Sequence, residues 1–213
     1  LHTLAHGDAV CQTAHRADCP FPQEMRYELP GLVIDNCAMA GRSSKTFREE
    51  GRLDDIAAHI RPGDLLVVSF GHNDANRAKA ERYVPADAFG ESLRPFWDAA
   101  RSHGAVCIFA SPVAMREFDE AGVCHPSFAA YREAMRAFAA EVGAPFIDLG
   151  AATAAANTAF GAERCKARYM WVGAKQDNAH QQNAGACRTA QAFVQQLLQD
   201  TTPALDVLRA NFK

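Results

Sequence analysis

The sequence predicts an α/β protein: one domain over residues 1–213, with helices on both faces of a five-stranded parallel sheet. Two observations predict it. Short apolar runs alternate with helical stripes along the whole chain, and such alternation builds right-handed βαβ units. The length of 213 residues, with 48% hydrophobic and 22% charged residues, suits one ordinary α/β domain. The same composition excludes a disordered, collagen-like or coiled-coil chain.

The elements follow in order. Leu1 to His6 is a short strand candidate, and Gly31 to Cys37, containing Leu-Val-Ile, is the second. Asp64 to Phe70 reads Asp-Leu-Leu-Val-Val-Ser-Phe, a continuous apolar run suited to a strand buried on both faces. Ala105 to Ala110 is the fourth strand and Pro145 to Leu149 the fifth. Leu53, Ile56, Ala57 and Ile60 form a helical stripe between strands two and three. Phe89, Leu93, Phe96, Trp97 and Ala100 form another, in which Pro95 should kink the helix or move its start. Phe128, Tyr131, Met135, Phe138 and Val142 step by alternating threes and fours, close to an ideal amphipathic helix. Ala184 to Leu198 is the last long helix, and residues 201–213 read as a C-terminal tail. The aromatic and methionine stripes are core. The result is a three-layer α/β/α sandwich of flavodoxin-like character.

Several partners are excluded or left open. The longest nearly apolar stretch, Ala105 to Met115, is too short for a membrane span. The net charge is −3 with no Lys/Arg cluster, which argues against nucleic acid. Seven cysteines leave at least one unpaired within the chain. Cys11 with Cys19 and Cys165 with Cys187 are candidate disulfides, and small buried thiols are the alternative for each. No zinc-type Cys/His spacing is present. The chain starts at Leu1 and enters a strand almost at once, which reads as a processed or partial chain. The compartment favoured is extracytoplasmic, periplasmic or secreted, over cytoplasmic.

In a parallel sheet, ligands sit beyond the carboxyl ends of the strands. After the first strand comes Gly7-Asp8-Ala9, and after the second Asn36 to Ser44, with Gly41 inside it. After the third comes Gly71-His72-Asn73-Asp74, and before the last helix Asp177-Asn178-Ala179-His180. A spacing of three puts Asp177 and His180 on one side of a tight turn or first helical turn. An aspartate beside an imidazole fixes its tautomer, as a general base requires, while an N-cap aspartate with a surface histidine is the plainer alternative. The Asn73 amide can donate to a developing oxyanion, or simply belong to a Gly/Asn/Asp turn. Gly41 lets a backbone N–H approach a ligand, or is an ordinary turn glycine. Ser43 and Ser44 read as helix caps before they read as nucleophiles.

In this order, Gly7-Asp8-Ala9, Gly41, Gly71-His72-Asn73-Asp74 and Asp177-x-x-His180 resemble the four blocks of the SGNH (GDSL) hydrolase superfamily. The stretches Asn36 to Ser44, Glu50 to Asp54, Pro62-Gly63-Asp64, Ser111-Pro112-Val113 with Phe118-Asp119, and Gly185-Ala186 resemble its rhamnogalacturonan acetylesterase branch. The resemblance runs from about residue 4 to residue 198. It implies a serine nucleophile in the first block, His180 as base and Asp177 as its orienter. It also implies an oxyanion hole made by the N–H groups at positions 9 and 41 and the Asn73 amide. The implied chemistry is ester hydrolysis through an acyl-enzyme, most simply removal of O-acetyl groups from a poly- or oligosaccharide, and it implies no metal or organic cofactor, since the triad and donors suffice.

The sequence departs from that pattern where it matters most. Position 9 is alanine, and a methyl group attacks no carbonyl. Either the nucleophile was removed by design, the favoured reading since the other blocks are intact, or the chain is a natural pseudoenzyme that binds acetylated carbohydrate. Val10 follows where relatives often carry threonine, and Thr13 is a remote alternative nucleophile. A lipid- or aryl-ester hydrolase is the runner-up activity, against which stands the lack of an apolar lid insertion.

Overall fold

Parallel pairing of short apolar strands fixes the centre of the molecule. The computed structural model describes residues 2–4, 28–29, 32–33 and 35–210. The expectations for Gly7, Asp8, Ala9, Thr13 and the Cys11–Cys19 pair lie outside the described residues. Strands β1 (His2–Leu4), β4 (Asp35–Asn36), β5 (Leu65–Val68), β6 (Val106–Ala110) and β7 (Phe146–Ile147) form one sheet in the order β4-β1-β5-β6-β7. Every neighbouring pair is parallel, with Val68 opposite Phe109 and Ala110 opposite Ile147. The expected strand from Gly31 to Cys37 is divided between two partners. β3 (Leu32–Val33) pairs antiparallel with β2 (Glu28–Leu29), and Asp35–Asn36 joins the parallel sheet.

The period-two alternation of β5 and β6 sends side chains to both faces. Leu66, Val68, Cys107 and Phe109 face one core with Phe47, Leu53, Phe89, Phe96, Met135 and Phe138. These last belong to α1 (Ser44–Glu49), α2 (Arg52–Ala57), α3 (Ala86–Ser102) and α4 (Ala129–Val142). Leu65, Val67, Ile108 and Ala110 face the other core with Ile147, Leu149, Ala192 and Leu197. That side is covered by α5 (Leu149–Phe160) and α6 (Asn183–Gln199). No described helix is long and apolar enough to cross a membrane.

Three expectations need correction. Pro95 does not move the start of its helix: α3 runs from Ala86 through Pro95 to Ser102, with Pro85 at its N-cap. An interior proline costs roughly 3 kcal/mol, and burial of Phe89, Leu93 and Phe96 at about 2 kcal/mol each outweighs that. The residues after β7 form α5. Its buried face is Gly150, Thr153, Ala154 and Asn157, so it lacks the apolar stripe by which a helix is read. Cys165 and Cys187 are both free thiols, the first buried against the Asn157 carbonyl and the second exposed on α6. The tail is partly folded: Pro203–Leu205 forms a 3₁₀ turn, α7 covers Asp206–Ala210, and Leu205 is fully buried in the second core.

A charged node secures the end of β7. Asp148 caps α5 and accepts from Arg132 Nε at 2.8 Å, Arg132 Nη2 at 2.5 Å, Arg136 Nη2 at 2.5 Å and Ser111 Oγ at 3.0 Å. Burial alone would raise this carboxyl; Arg132 and Arg136 outweigh it and hold it at about 2, against an ordinary 3.8. A folded value below the unfolded one contributes stability above pH 3.8, and that contribution is lost as pH falls toward 2. The gap corresponds to about 2 kcal/mol. Asp148→Asn is expected to be less stable than the parent at pH 7, with the difference shrinking by about that amount by pH 2. Urea unfolding at both pH values checks this, and a difference independent of pH would refute it.

Candidate active site

The loop after β4 and the loop after β5 are tied to each other. Ser43 caps α1 in a reciprocal capping box with Thr46, which starts the helix directly after Gly41-Arg42. Ser44, the first helical residue, gives both its N–H (2.9 Å) and its hydroxyl (2.5 Å) to Asp74 Oδ1. The other carboxylate oxygen accepts the Gly71 N–H at 3.0 Å. Asp74 is fully buried; burial pushes its carboxyl up, and the Ser44 and Gly71 donors oppose that rise. One carboxylate therefore clamps both loops, and neither Ser43 nor Ser44 is placed as a nucleophile.

Gly41 and Asn73 are brought together by this clamp. Gly41 has φ +77°, a left-handed conformation that a side chain would strain. Its carbonyl accepts from Arg82 Nη1 at 3.1 Å, and the Ala40 carbonyl before it accepts from Arg42 Nη1 at 2.9 Å. Asn73 is buried, and its Nδ2 donates to the Arg42 carbonyl at 3.2 Å. Such a donor uses one of two N–H bonds, so the amide retains a second.

Asp177 and His180 do not lie on a first helical turn; they share a tight turn built into a strand. They sit on β9 (Lys175–Gln181), which pairs antiparallel with β8 (Tyr169–Val172), and α6 begins only at Asn183. The ladder slips between Trp171↔Gln176 and Tyr169↔Gln181, so the intervening residues bulge out. The cause is local: Asp177 Oδ1 accepts the N–H groups of Ala179 and His180, each at 2.9 Å, which turns the backbone inside the strand. The remaining oxygen, Oδ2, lies 2.6 Å from His180 Nδ1, with Lys175 Nζ at 3.5 Å. Side-chain exposures of 19% for Asp177 and 26% for His180 leave the pair shielded but reachable. Burial raises the Asp177 carboxyl, but the N–H groups of His180 and Ala179 and the imidazole together take it below the usual carboxylate range.

Residues that the sequence did not single out support the hairpin. Arg116, from the loop after β6, donates its N–H to the Asn178 carbonyl at 2.7 Å and Nη1 to Asn178 Oδ1 at 3.3 Å. Trp171 Nε1 reaches the same oxygen at 2.9 Å, and the Arg116 guanidinium lies 4.8 Å over the Trp171 ring. The same loop touches the β5 side, where Phe128 packs edge-on to His72 with ring centroids 4.7 Å apart. Gly71 has no room for a side chain beside Pro112. The loop from Ser111 to Phe128 thus joins the Asn73 side of the site to the Asp177–His180 side. No signal in the sequence marks Arg116; Arg42 and Asp74 lie within stretches that the sequence does mark, without a role of their own.

Known proteins resemble this chain over most of its length. The model of the GDSL-like lipase/acylhydrolase family matches residues 4–185. Rhamnogalacturonan acetylesterase RhgT of Bacillus subtilis is 35% identical over 187 residues, covering 84% of this chain and 79% of its own. The probable rhamnogalacturonan acetylesterase YesY of the same organism is 39% identical over 189 residues, 87% of each chain. Among solved structures, the Bacillus subtilis protein YxiM aligns with a TM-score of 0.72 at 29% identity, over 80% of this chain; this chain spans 47% of that longer one. The lipase/acylhydrolase from Enterococcus faecalis shares the fold, with a TM-score of 0.58 at 17% identity over 92% of this chain and 94% of its own. With a family match over most of its length and two relatives above 30% identity, the chain belongs to the GDSL-like lipase/acylhydrolase family.

Proposed function

We propose that the chain carries the machinery of a carbohydrate O-acetylesterase with alanine at the nucleophile position. The observation that carries this is the 2.6 Å contact between Asp177 Oδ2 and His180 Nδ1, with the other Asp177 oxygen fixed by two backbone N–H groups. An imidazole whose Nδ1 is committed to a carboxylate acts through Nε2. In the proposed reaction a serine hydroxyl at position 9 attacks an acetyl carbonyl while His180 takes its proton. The Gly41 N–H, the Asn73 amide and the N–H at position 9 stabilise the oxyanion. The sugar alcohol leaves with the proton from His180, and water then releases acetate from the acyl-enzyme.

Both curated relatives that cover most of their own length are named rhamnogalacturonan acetylesterases, one of them as probable, which supports an acetylated carbohydrate as substrate. An extracytoplasmic location goes with a polysaccharide substrate and is part of the proposal. So is a single flavodoxin-like α/β/α domain, a reading supported by the parallel order β4-β1-β5-β6-β7 with helices on both faces. Ala9 is read as a nucleophile removed by substitution. The same alanine motivates a second reading, a pseudoenzyme that binds acetylated carbohydrate.

The test is acetate release by Ala9→Ser from acetylated rhamnogalacturonan, beside hydrolysis of long-chain 4-nitrophenyl esters. Acetate release with little long-chain hydrolysis is expected. Preference for the long-chain esters would select a lipid- or aryl-ester hydrolase. Folding without turnover of any ester would select the pseudoenzyme.

A further inference from the structure

We infer that Arg42 is a positioning residue for the oxyanion hole, aligning and polarising the Gly41 N–H through the Ala40 carbonyl. The inference rests on the reading of Gly41 and Asn73 as oxyanion donors. The Ala40 carbonyl and the Gly41 N–H are two ends of one peptide unit, which is a single resonance system. Arg42 Nη1 donates to the oxygen end at 2.9 Å. A cationic donor there draws electron density from the nitrogen and makes the N–H at the far end a stronger donor. Arg82 Nη1 holds the next peptide unit through the Gly41 carbonyl at 3.1 Å, and the left-handed φ of Gly41 sets the angle between the two units.

Arg42 is itself oriented. Its Nε lies 3.0 Å from both carboxylate oxygens of Glu50, and Arg52 Nε binds the same carboxylate at 2.6 Å. Glu50 thus aims the guanidinium back over its own loop rather than into solvent. The main chain of Arg42 contributes separately, since its carbonyl receives Asn73 Nδ2 at 3.2 Å. One residue therefore touches the supports of both donors. The side chain governs Gly41 and the backbone governs Asn73, so side-chain variants read the first alone.

The experiment uses the Ala9→Ser protein as parent and compares Arg42→Ala, Arg42→Lys, Glu50→Gln and Asn73→Ala in that background. Loss of one oxyanion donor costs roughly 10²–10³ in turnover, and a weakened donor costs less. Arg42→Ala is expected to lower kcat by about 10–100-fold with KM within about threefold. Arg42→Lys keeps the charge without the Glu50 fork, so it and Glu50→Gln should fall between parent and Arg42→Ala. Phenylboronic acid supplies a readout that a merely structural role would not move. The introduced serine oxygen bonds to boron, its proton passes to His180, and the adduct places a boron-bound oxygen in the hole. Arg42→Ala should weaken this inhibitor by the same factor as kcat, and added methylguanidine should restore part of both.

Unchanged kcat and unchanged boronate affinity in Arg42→Ala, with Asn73→Ala impaired, overturn the role of Arg42 alone. A loss that follows the unfolded fraction by circular dichroism and is not rescued by methylguanidine or lysine overturns it too. An inactive parent, or an Asn73→Ala variant as fast as its parent, overturns the underlying reading and the inference with it.

Discussion

Placing serine at position 9 should raise acetyl-ester turnover on the order of 10⁶-fold. That is the factor by which loss of the nucleophile lowers a serine protease with an equivalent triad. The size follows from what the rest of the site already provides. His180 is aimed by a 2.6 Å contact, and Asn73 and Gly41 are held by charge-assisted and buried hydrogen bonds. On the proposed reading, the bond-forming atom is what the site lacks. The gained hydroxyl should also make the protein a target of a serine-reactive sulfonyl fluoride, with one label per chain at position 9. The unsubstituted chain should take up none while still binding an acetylated sugar. Mass spectrometry of the labelled peptide and acetate release are the two measurements. If Ala9→Ser folds, binds the sugar and yields neither label nor acetate, the esterase reading is lost.

The second large effect is expected at Asp177. In the Ala9→Ser background, Asp177→Asn should lower kcat by about 10⁴-fold, the effect of the matching change in a serine protease. The substitution is close to isosteric, and an asparagine oxygen can still accept from the Ala179 and His180 N–H groups that shape the bulge. What it removes is the anion facing His180 Nδ1, so the ring takes the wrong tautomer and its protonated form loses its partner. The carboxyl of Asp177 lies below the usual range, so it stays ionised wherever a neutral imidazole can act as base. A drop of less than tenfold would show that Asp177 is dispensable and that another acceptor, such as a backbone carbonyl, orients the ring. Circular dichroism would separate that outcome from misfolding.

Much of this fold is legible because its strongest elements obey one rule each. Leu65 to Val68 and Val106 to Ala110 are apolar without interruption because both of their faces are buried. Ala129 to Val142 shows its stripe because one face packs on the sheet and the other meets water. The elements missed are those whose burial is not apolar. Helix α5 turns Thr153 and Asn157 inward, where Thr153 Oγ1 accepts the Ala114 N–H at 2.9 Å and Asn157 Nδ2 donates to the Tyr169 hydroxyl at 2.8 Å. No periodicity scan rewards a buried asparagine. The hairpin carrying Asp177 was hidden for a related reason: its strand is Lys-Gln-Asp-Asn-Ala-His-Gln, with no β-branched residue, and pairing with Tyr169 to Val172 makes it a strand. Candidate site residues were legible by type and order, because glycine, asparagine and the Asp-x-x-His spacing are local signals. Their supports were not, since Arg116 to Asn178 and Ser44 to Asp74 are contacts between distant parts of the chain.

The clamp at Asp74 has a consequence for how such a molecule fails. It fastens the Gly41 and Asn73 loops to the edge of the central sheet, whereas Asp177 and His180 ride on a two-stranded flap secured through Arg116 and Trp171. On the proposed reading, the half that grips charge is held by the Asp74 clamp, and the half that moves protons reaches it through the loop from Ser111 to Phe128. Mild heat or denaturant that loosens the flap first would leave a vessel that still holds its cargo but no longer opens it. Rate would fade before affinity, and cooling would bring the rate back without any step of global refolding.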